Sequence, residues 1–375
     1  MVHVRPKVLT LIFRNRLYAI ICLISFIARL LLVMLIQDYE PDSYIRFHIG
    51  QQIAKNPYAI YSNGAFLPFY QYLIALLVVL GGDLYSVRLM SAFAGSLLVL
   101  IVYKTSFLVH KSERTAILSM ILASFNPLLL LYSAFAMSEA VYSFLLLLAF
   151  YLLLKHQFIL ASFPLVLSVL TRYESWVLMP TMLLFFMWKE KTFSAKKYIP
   201  LLASCNAIVW WLLINKLNYN DPFFFMHYLG RMDLPQNFDV TAIWGIPEIF
   251  RSAFGAILYP VIYPFMYAPV LSAQVYKKLR SLNRTNLQTS FLVTMLVSYT
   301  ASLTVTKILH INWGWGRHFL PLIPLHIILG TFCFSHIKKT KILLCITLSN
   351  IIISAFLTYL QVSTEYAFLD SFILR

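Results

Sequence analysis

Along this chain apolar residues come in long, nearly unbroken blocks, and polar residues are confined to the gaps between them. Blocks that approach the length of a bilayer crossing are Leu17–Ile36, Ser86–Val109, Thr115–Ala136, Ala140–Leu154, Phe158–Leu170, Trp176–Trp188, Tyr198–Ile214, Ser252–Val275, Leu287–Thr306, Phe319–Ser335 and Ile342–Val362. A crossing helix needs about 20 residues, so the pattern predicts an all-α polytopic membrane protein with about eleven transmembrane helices, several of them short. A further run, Leu67–Leu80, makes roughly four helical turns. That length predicts a re-entrant or interfacial helix that does not cross.

Composition supports the class. Hydrophobic residues are 60% of the chain and charged residues 12%, a balance foreign to soluble domains. The formal net charge is +16, yet no basic run is interleaved with polar recognition residues, so nucleic acid is not the partner. Positive charge sets orientation instead. With the N-terminus cytoplasmic and Leu67–Leu80 held on the outer face, the basic groups at Arg5/Lys7/Arg14/Arg16, Lys111/Arg114, Lys155, Lys189/Lys191/Lys196/Lys197, Lys277/Lys278/Arg280/Arg284 and Lys338/Lys339/Lys341 all fall inside. Of the 14 acids, only Glu113 and Glu190 then face the cytoplasm. Longer outer loops, 37–85 and 215–251, account for that bias as well as an outward active site does. No A-x-A-like cleavage site follows Leu17–Ile36, which reads as a retained helix. Cys22, Cys205, Cys333 and Cys345 lie in apolar runs without metal spacing and read as packing residues. With no internal repeat or low-complexity tract, residues 1–375 read as one membrane-embedded domain.

The candidate chemistry sits at the outer junctions. Asp38, Glu40 and Asp42 follow the first run, and from Asp42 onward Ile45, Ile49 and Ile53 recur every fourth residue, the apolar face of a short helix along the membrane surface. Asp42 at its start fits either a helix N-cap or a general base. Tyr44 and Arg46 on the same helix are substrate-binding candidates. Arg29 lies within the first run, where a charge costs about 2.5–3.5 kcal/mol on insertion scales, so it should face an outer carboxylate or snorkel to the headgroups. Ser138-Glu139, Arg172-Tyr173-Glu174 and the donor-rich stretch from His310 through Trp313 and Trp315 to Arg317 and His318 mark three more junctions. Asn220-Asp221-Pro222-Phe223-Phe224-Phe225 reads as an apolar wedge after a turn. On the outward topology these groups converge. Arginines there would fix phosphate oxygens, aromatic faces would pack on sugar and prenyl chain, and a carboxylate would take a proton from an acceptor hydroxyl. No Gly-rich phosphate fingerprint points to a soluble nucleotide-sugar enzyme.

The order of the stretches EPDSY, LPFYQYL, GGDLYSVRLMSAFAG, FNPLLLLYSAFAMSEA, LTRYESWVLMP, YNDPFFF and WGRHFLPLIPL resembles the GT-C superfamily of polyprenyl-phosphate-sugar-dependent glycosyltransferases, particularly the protein O-mannosyltransferase and aminoarabinose-transferase branch. The resemblance runs from Arg29 to about Leu329. It implies a GT-C fold, a polyprenyl- or dolichyl-phosphate sugar donor, with mannose as the sugar the resemblance suggests, and a hydroxyl acceptor on glycan, lipid or protein. It implies Asp42 as general base with Asp38 as alternative, Glu139 assisting at the acceptor or a divalent metal, and Arg172 and Arg317 on the donor phosphate; Glu174 and His318 stand beside them. The loop reads PDSY where relatives often carry Asp-Glu, so Glu40 or Glu139 would supply any second acid. No WWDYG-type acceptor motif is present, which argues for single-sugar rather than whole-glycan transfer. A transporter or lipid flippase would need mid-membrane charges and related halves; Arg29 is the main such charge and no halves match. A non-catalytic scaffold subunit is the remaining alternative.

Overall fold

The computed structural model describes residues 6–58, 66–189, 195–226, 271–273, 275, 286–308, 316–332 and 345–359, and among these every regular element is helical. In chain order they are α1 (Pro6–Leu35), α2 (Pro41–Lys55), α3 (Pro68–Val79), α4 (Leu84–His110), α5 (Glu113–Ser124), α6 (Pro127–Ala134), α7 (Ser138–Leu154), α8 (Phe158–Val169), α9 (Glu174–Lys189), α10 (Ala195–Tyr219), α11 (Leu287–Ile308), a 3₁₀ turn (Gly316–Phe319), α12 (Leu322–Phe332) and α13 (Cys345–Tyr359). Most of the Ser252–Val275 run, the second outer loop from residue 227, Trp313, Trp315 and the basic groups at Lys277–Arg284 and Lys338–Lys341 lie outside the described residues.

Local chemistry places the helix starts. Proline opens α2, α3 and α6, where its missing N–H costs nothing. Asp83 begins α4 with a capping box: its carboxylate accepts from the Ser86 N–H at 2.9 Å while Ser86 Oγ accepts from the Asp83 N–H at 3.3 Å. The run Thr115–Ala136, expected as one span, is two helices bent by 52°. The cause is the Asn126-Pro127 pair. Proline cannot continue the α5 ladder, and Asn126 Oδ1 caps α6 by accepting from the Leu129 N–H at 3.1 Å.

Segments of α1 (Leu17–Leu35), α4 and α10 (Lys196–Tyr219) are long and apolar enough to cross a membrane, and the bent α5–α6 pair passes together as a fourth. The chain is a multi-pass membrane protein. About eleven crossings would require the shorter apolar helices to span as well. α4 occupies the middle, packed on α1, α5, α6 and α7; α8 lies between α7 and α10, and α11 joins α9 to α12, which returns to α5. The main apolar core runs through these contacts from Ile21 to Leu329. Cys205 and Cys345 sit exposed on the outside of the bundle, so the packing role expected of them fails there.

The two ends of the bundle differ. At one end Arg88 of α4 donates to Ile36 O, just past α1, and at 2.8 Å to Ala134 O, the last residue of α6. There too the Phe69 N–H at the start of α3 donates to Leu170 O at the end of α8, 3.0 Å away. α3 then hands over to the start of α4 through a turn in which Gly81 takes φ 84°, a left-handed conformation that suits glycine. α3 thus leaves from and returns to the same end of the bundle. It lies against α2, so closely that a Cβ on Gly50 would collide with the Ile74 side chain. At the far end, Tyr18 donates to Glu113 at 3.4 Å and His110 meets Ile328 O at 2.7 Å, next to Lys111.

Candidate active site

Acidic and basic groups from four separated segments meet at the α1–α2 end. Arg317, on the 3₁₀ turn, donates from Nη1 to Glu40 Oε2 at 2.7 Å and from Nη2 to Asp42 Oδ2 at 2.6 Å. Its Nε is 3.8 Å from Glu139 Oε1 at the start of α7. Arg172, in the α8–α9 connection, donates from Nη1 to the same Glu139 oxygen at 2.6 Å and from Nη2 to Glu174 Oε1 at 2.7 Å. Glu139 is therefore shared between the two guanidinium groups, fully buried, with Oε2 left without a partner. Such a network survives out of water only because each charge meets an opposite one.

Asp42 is the second residue of α2, after Glu40 as N-cap and Pro41, and no side chain caps the helix. Its carboxylate is spent on Arg317, not on a backbone N–H, which decides between cap and ion pair. Burial pushes the Asp42 carboxyl up, but Arg317, Arg46 and His318 together outweigh burial and hold it below the ordinary carboxylate range. Asp42 is also the more open of Arg317's two partners, with 27% of its side chain exposed against 6% for Glu40.

Asp38 has a different occupation. Its Oδ1 accepts from the Glu40 N–H at 3.1 Å and its Oδ2 from the Ala136 N–H at 2.8 Å. Burial raises its carboxyl above the usual range, against the pull of those two amides. Asp38 thus pins the α1–α2 connection to the α6–α7 connection. Both oxygens are taken by backbone, which leaves it poorly placed as the alternative base.

The remaining candidates divide. His318 Nδ1 lies 2.6 Å from Arg172 Nη2 and 3.0 Å from Glu174 Oε1. Burial is the largest influence on this ring and lowers its pKa despite Glu174; the neutral ring accepts from Arg172, and protonation would turn the same atom toward Glu174. Arg46 is buried beneath Phe66, 4.0 Å from the ring centroid, with Nε unpartnered and its field on Asp42 and Glu139. Tyr44 is half exposed and donates to Asp38 O at 2.9 Å. Arg29 does not join the site. It is fully buried between α1, α4 and α6, donates to Ser25 O at 3.0 Å and to Ser25 Oγ, and makes no ion pair with an outer carboxylate among the described residues. Its neighbours are small: a Cβ on Gly95 would stand 2.8 Å from Arg29 Nε.

Two expectations about the surrounding helices change in detail. The buried stripe of α2 is Ser43, Arg46, Ile49, Gly50 and Ile53, so Ile45 points outward. Of the apolar wedge, Phe225 stacks on Tyr173 with centroids 4.3 Å apart and is 5% exposed. It anchors the end of α10 beside Arg172. The sequence reading passed over Arg88, which holds the carbonyls that end α1 and α6; the signal was available, since a charge in the second turn of a long apolar helix demands a partner as Arg29 does. Among the described residues no three His, Cys, Asp or Glu side chains are grouped to hold a metal.

Residues 70–178 match the family of dolichyl-phosphate-mannose-protein mannosyltransferases. That segment carries Glu139, Arg172 and Glu174. No curated protein sequence matches the chain significantly. Among solved structures it is similar to ArnT from Cupriavidus metallidurans in the apo state, with a TM-score of 0.59 and 12% identity over 89% of this chain and 61% of that one. ArnT from the same organism bound to undecaprenyl phosphate gives 0.54 and 13% over 88% and 60%. The Archaeoglobus fulgidus oligosaccharyltransferase tethered with an acceptor peptide gives 0.55 and 14% over 93% and 55%. The chain spans less than two thirds of the length of each of these structures. The chain thus shares its helical fold with these solved structures, and within that fold residues 70–178 carry the sequence pattern of the dolichyl-phosphate-mannose-protein mannosyltransferases.

Proposed function

We propose that the whole chain is one membrane-embedded glycosyltransferase that moves a single sugar, mannose on the family likeness, from a polyprenyl- or dolichyl-phosphate donor to a hydroxyl acceptor. The observation that carries this reading is the contact of Arg317 with both Asp42 and Glu40, which puts a cation able to bind phosphate within hydrogen-bond distance of a carboxylate able to act as base. Likeness to a structure bound to undecaprenyl phosphate and to one tethered with an acceptor peptide supports both halves of the reaction.

The geometry suggests how the parts work together. The donor phosphate is a better bidentate partner for a guanidinium than two separate carboxylates, so its arrival draws Arg317 away from Asp42. The carboxylate then loses its largest stabilising neighbour while remaining partly buried, and its affinity for a proton rises. In the transfer step the acceptor oxygen bonds to the anomeric carbon, its proton passes to Asp42, and the bond from that carbon to the phosphate oxygen breaks with its electrons leaving on the polyprenyl phosphate. Arg317 and Arg172 stabilise the charge that develops on that oxygen.

The test is transfer of sugar from a polyprenyl-phosphate donor in membranes containing the Asp42→Asn variant. A fall of at least about 10²-fold is expected for loss of a general base; full activity in that variant sinks the assignment and favours a scaffold. The active end is assigned to the extracytoplasmic face. Lys111, at the opposite end of α4, is then cytoplasmic, and a cysteine placed there should label only from the inside.

A further inference from the structure

Arg46 is the guanidinium that the transfer step leaves unused, and it is seated unlike the other two. Arg317 and Arg172 are held by carboxylates. Arg46 is held by α3 and the residues leading into it. Its guanidinium carbon lies 4.0 Å from the centre of the Phe66 ring and 5.8 Å from that of Tyr70. The Gln71 side chain, fully buried, sets one end of its amide 3.1 Å from Arg46 O and the other 3.3 Å from Arg46 Nη1. A carbonyl only accepts and a guanidinium only donates, so the amide nitrogen faces the first and the amide oxygen the second. No carboxylate is a direct partner of Arg46 among the described residues, and its buried Nε makes no hydrogen bond.

Close contact between two helices makes that seat possible. Arg46 and Gly50 are one turn apart on the buried stripe of α2, and the missing Cβ of Gly50 lets Ile74 of α3 approach closely enough for Gln71, one turn before Ile74, to reach the Arg46 main chain. Asp42 lies one turn before Arg46 on the same helix, the spacing at which an acid and a following base are neighbours. The other groups around Asp42 leave Arg46 a particular task. Arg317 is shared with Glu40 and, at 3.8 Å, with Glu139. His318 beside it in the 3₁₀ turn is kept neutral by burial. Arg172 is committed to Glu139 and Glu174, Arg88 of α4 to the Ile36 and Ala134 carbonyls, and Asp38 to two backbone amides. α3 brings the uncharged Tyr70, whose hydroxyl meets Ser91. Once Arg317 turns to the donor phosphate, Arg46 is the cation still beside Asp42, and its own partners, two rings and an amide, are not ones that an anion displaces.

We infer that Arg46 is a positioning residue: seated on α3, it keeps a positive charge beside Asp42 after Arg317 has turned to the donor, so that the carboxylate remains free to take the acceptor's proton. For transfer this rests on the glycosyltransferase reading; the pairing of charge between Arg46 and Asp42 does not. A partly buried carboxylate stripped of every cation would take up a proton from water before the acceptor arrived and could no longer serve as base. One arginine thus exchanges partners while another, fixed on the same helix as the carboxylate, sets how far the carboxylate's proton affinity can climb.

Two measurements on the full chain in lipid nanodiscs test this. The first needs no turnover: the Asp42 carboxyl is titrated by its carbon-13 resonance, assigned by its loss in Asp42→Asn, in an Arg317→Gln background that stands for the state in which Arg317 has left. Adding Arg46→Gln should raise the midpoint by about one pH unit, and adding Arg46→Lys, which keeps the charge, should raise it little. Equal midpoints with and without Arg46→Gln, or an equal rise for both substitutions, overturn the proposal whatever the protein catalyses. The second is kcat at saturating donor against pH, with Arg317 intact. Arg46→Gln should move the acid limb upward by about one unit and Arg46→Lys should restore it; Gln71→Leu, which keeps the arginine and removes its seat, should move the limb the same way by less. A limb that stays in place in both Arg46→Gln and Gln71→Leu, or a loss of rate of one size at every pH, reduces Arg46 to packing and overturns the positioning role. A wild-type protein that transfers no sugar defeats the glycosyltransferase reading, while the titration still decides whether Arg46 holds its charge against Asp42.

Discussion

Arg317 and Arg172 each hold two carboxylates, but in different surroundings. Arg317 projects from a single 3₁₀ turn and reaches Glu40 and Asp42 across 277 and 275 residues of sequence, with Asp42 27% exposed. Arg172 sits in a tight helix connection, bonded to the fully buried Glu139 and to its near neighbour Glu174, with the Tyr142 face 5.9 Å away. The same ion triad is open in one place and closed in the other. An open triad can trade a carboxylate for a ligand oxygen at little cost, since water and ligand share access to it. A closed one cannot, because removing either sign leaves the other stranded in low dielectric. Under the proposed reaction, Arg317 is thus the guanidinium that exchanges partners, and Arg172 the one that stays fixed in place.

Substitutions at the two arginines break the comparison most directly. Arg172→Gln should destabilise the protein by about 3–5 kcal/mol, the cost of stranding a buried partner, and should be seen first as lost thermal stability in detergent. Arg317→Gln should fold, with a smaller loss of stability, and lower transfer by about 10²–10³-fold. Equal stability losses for the two would erase the distinction. Asp38→Asn comes next: one of its two backbone amides loses its acceptor, so a cost of about 1–3 kcal/mol is expected, with partial activity because Asp42 is displaced but still ionisable. The smallest and most specific effect is on pH. Asp42 is held below its ordinary range by Arg317 against burial, so the ion pair's stabilisation is complete above about pH 4 and is lost as pH falls through the depressed value. In Arg317→Gln burial acts unopposed by its main counterweight, and the acid limb of the residual rate against pH should move upward. A limb that stays in place removes Asp42 from the proton transfer.

The ease with which each part could be read from sequence follows how local its cause is. Long apolar runs and their junctions announce themselves, as does the short α3, because bilayer thickness sets a length that the chain meets or misses. The Asn126-Pro127 break is equally local, but hydropathy ignores the backbone chemistry that causes it. Membership of the site was legible too, since Glu139, Arg172, Glu174, Arg317 and His318 are charges stationed where helices end. Partnership was not. Nothing in the sequence says that Arg317 pairs with Asp42 and Glu40 while Arg172 pairs with Glu139, or that Asp38, two residues from Glu40, is a backbone clamp; those facts depend on which helix ends the bundle brings together. Arg88 stayed hidden for a related reason. Basic residues near the ends of membrane helices are common, and only carbonyls at the right distance give this one its task.

Arg29 bears on how the protein is made. Two of its guanidinium nitrogens have no hydrogen-bond partner, and it rests against Gly95 of α4 and Ser133 of α6. α1 is synthesised well before either neighbour exists, so for a time it must keep a cation in the bilayer with nothing packed over it. Its residence there becomes settled only when α4 and α6 arrive to cover it. A helix made before its partners is therefore secured only after they are in place, so substitutions that loosen α4 or α6 beside Gly95 or Ser133 should expose the Arg29 charge as well.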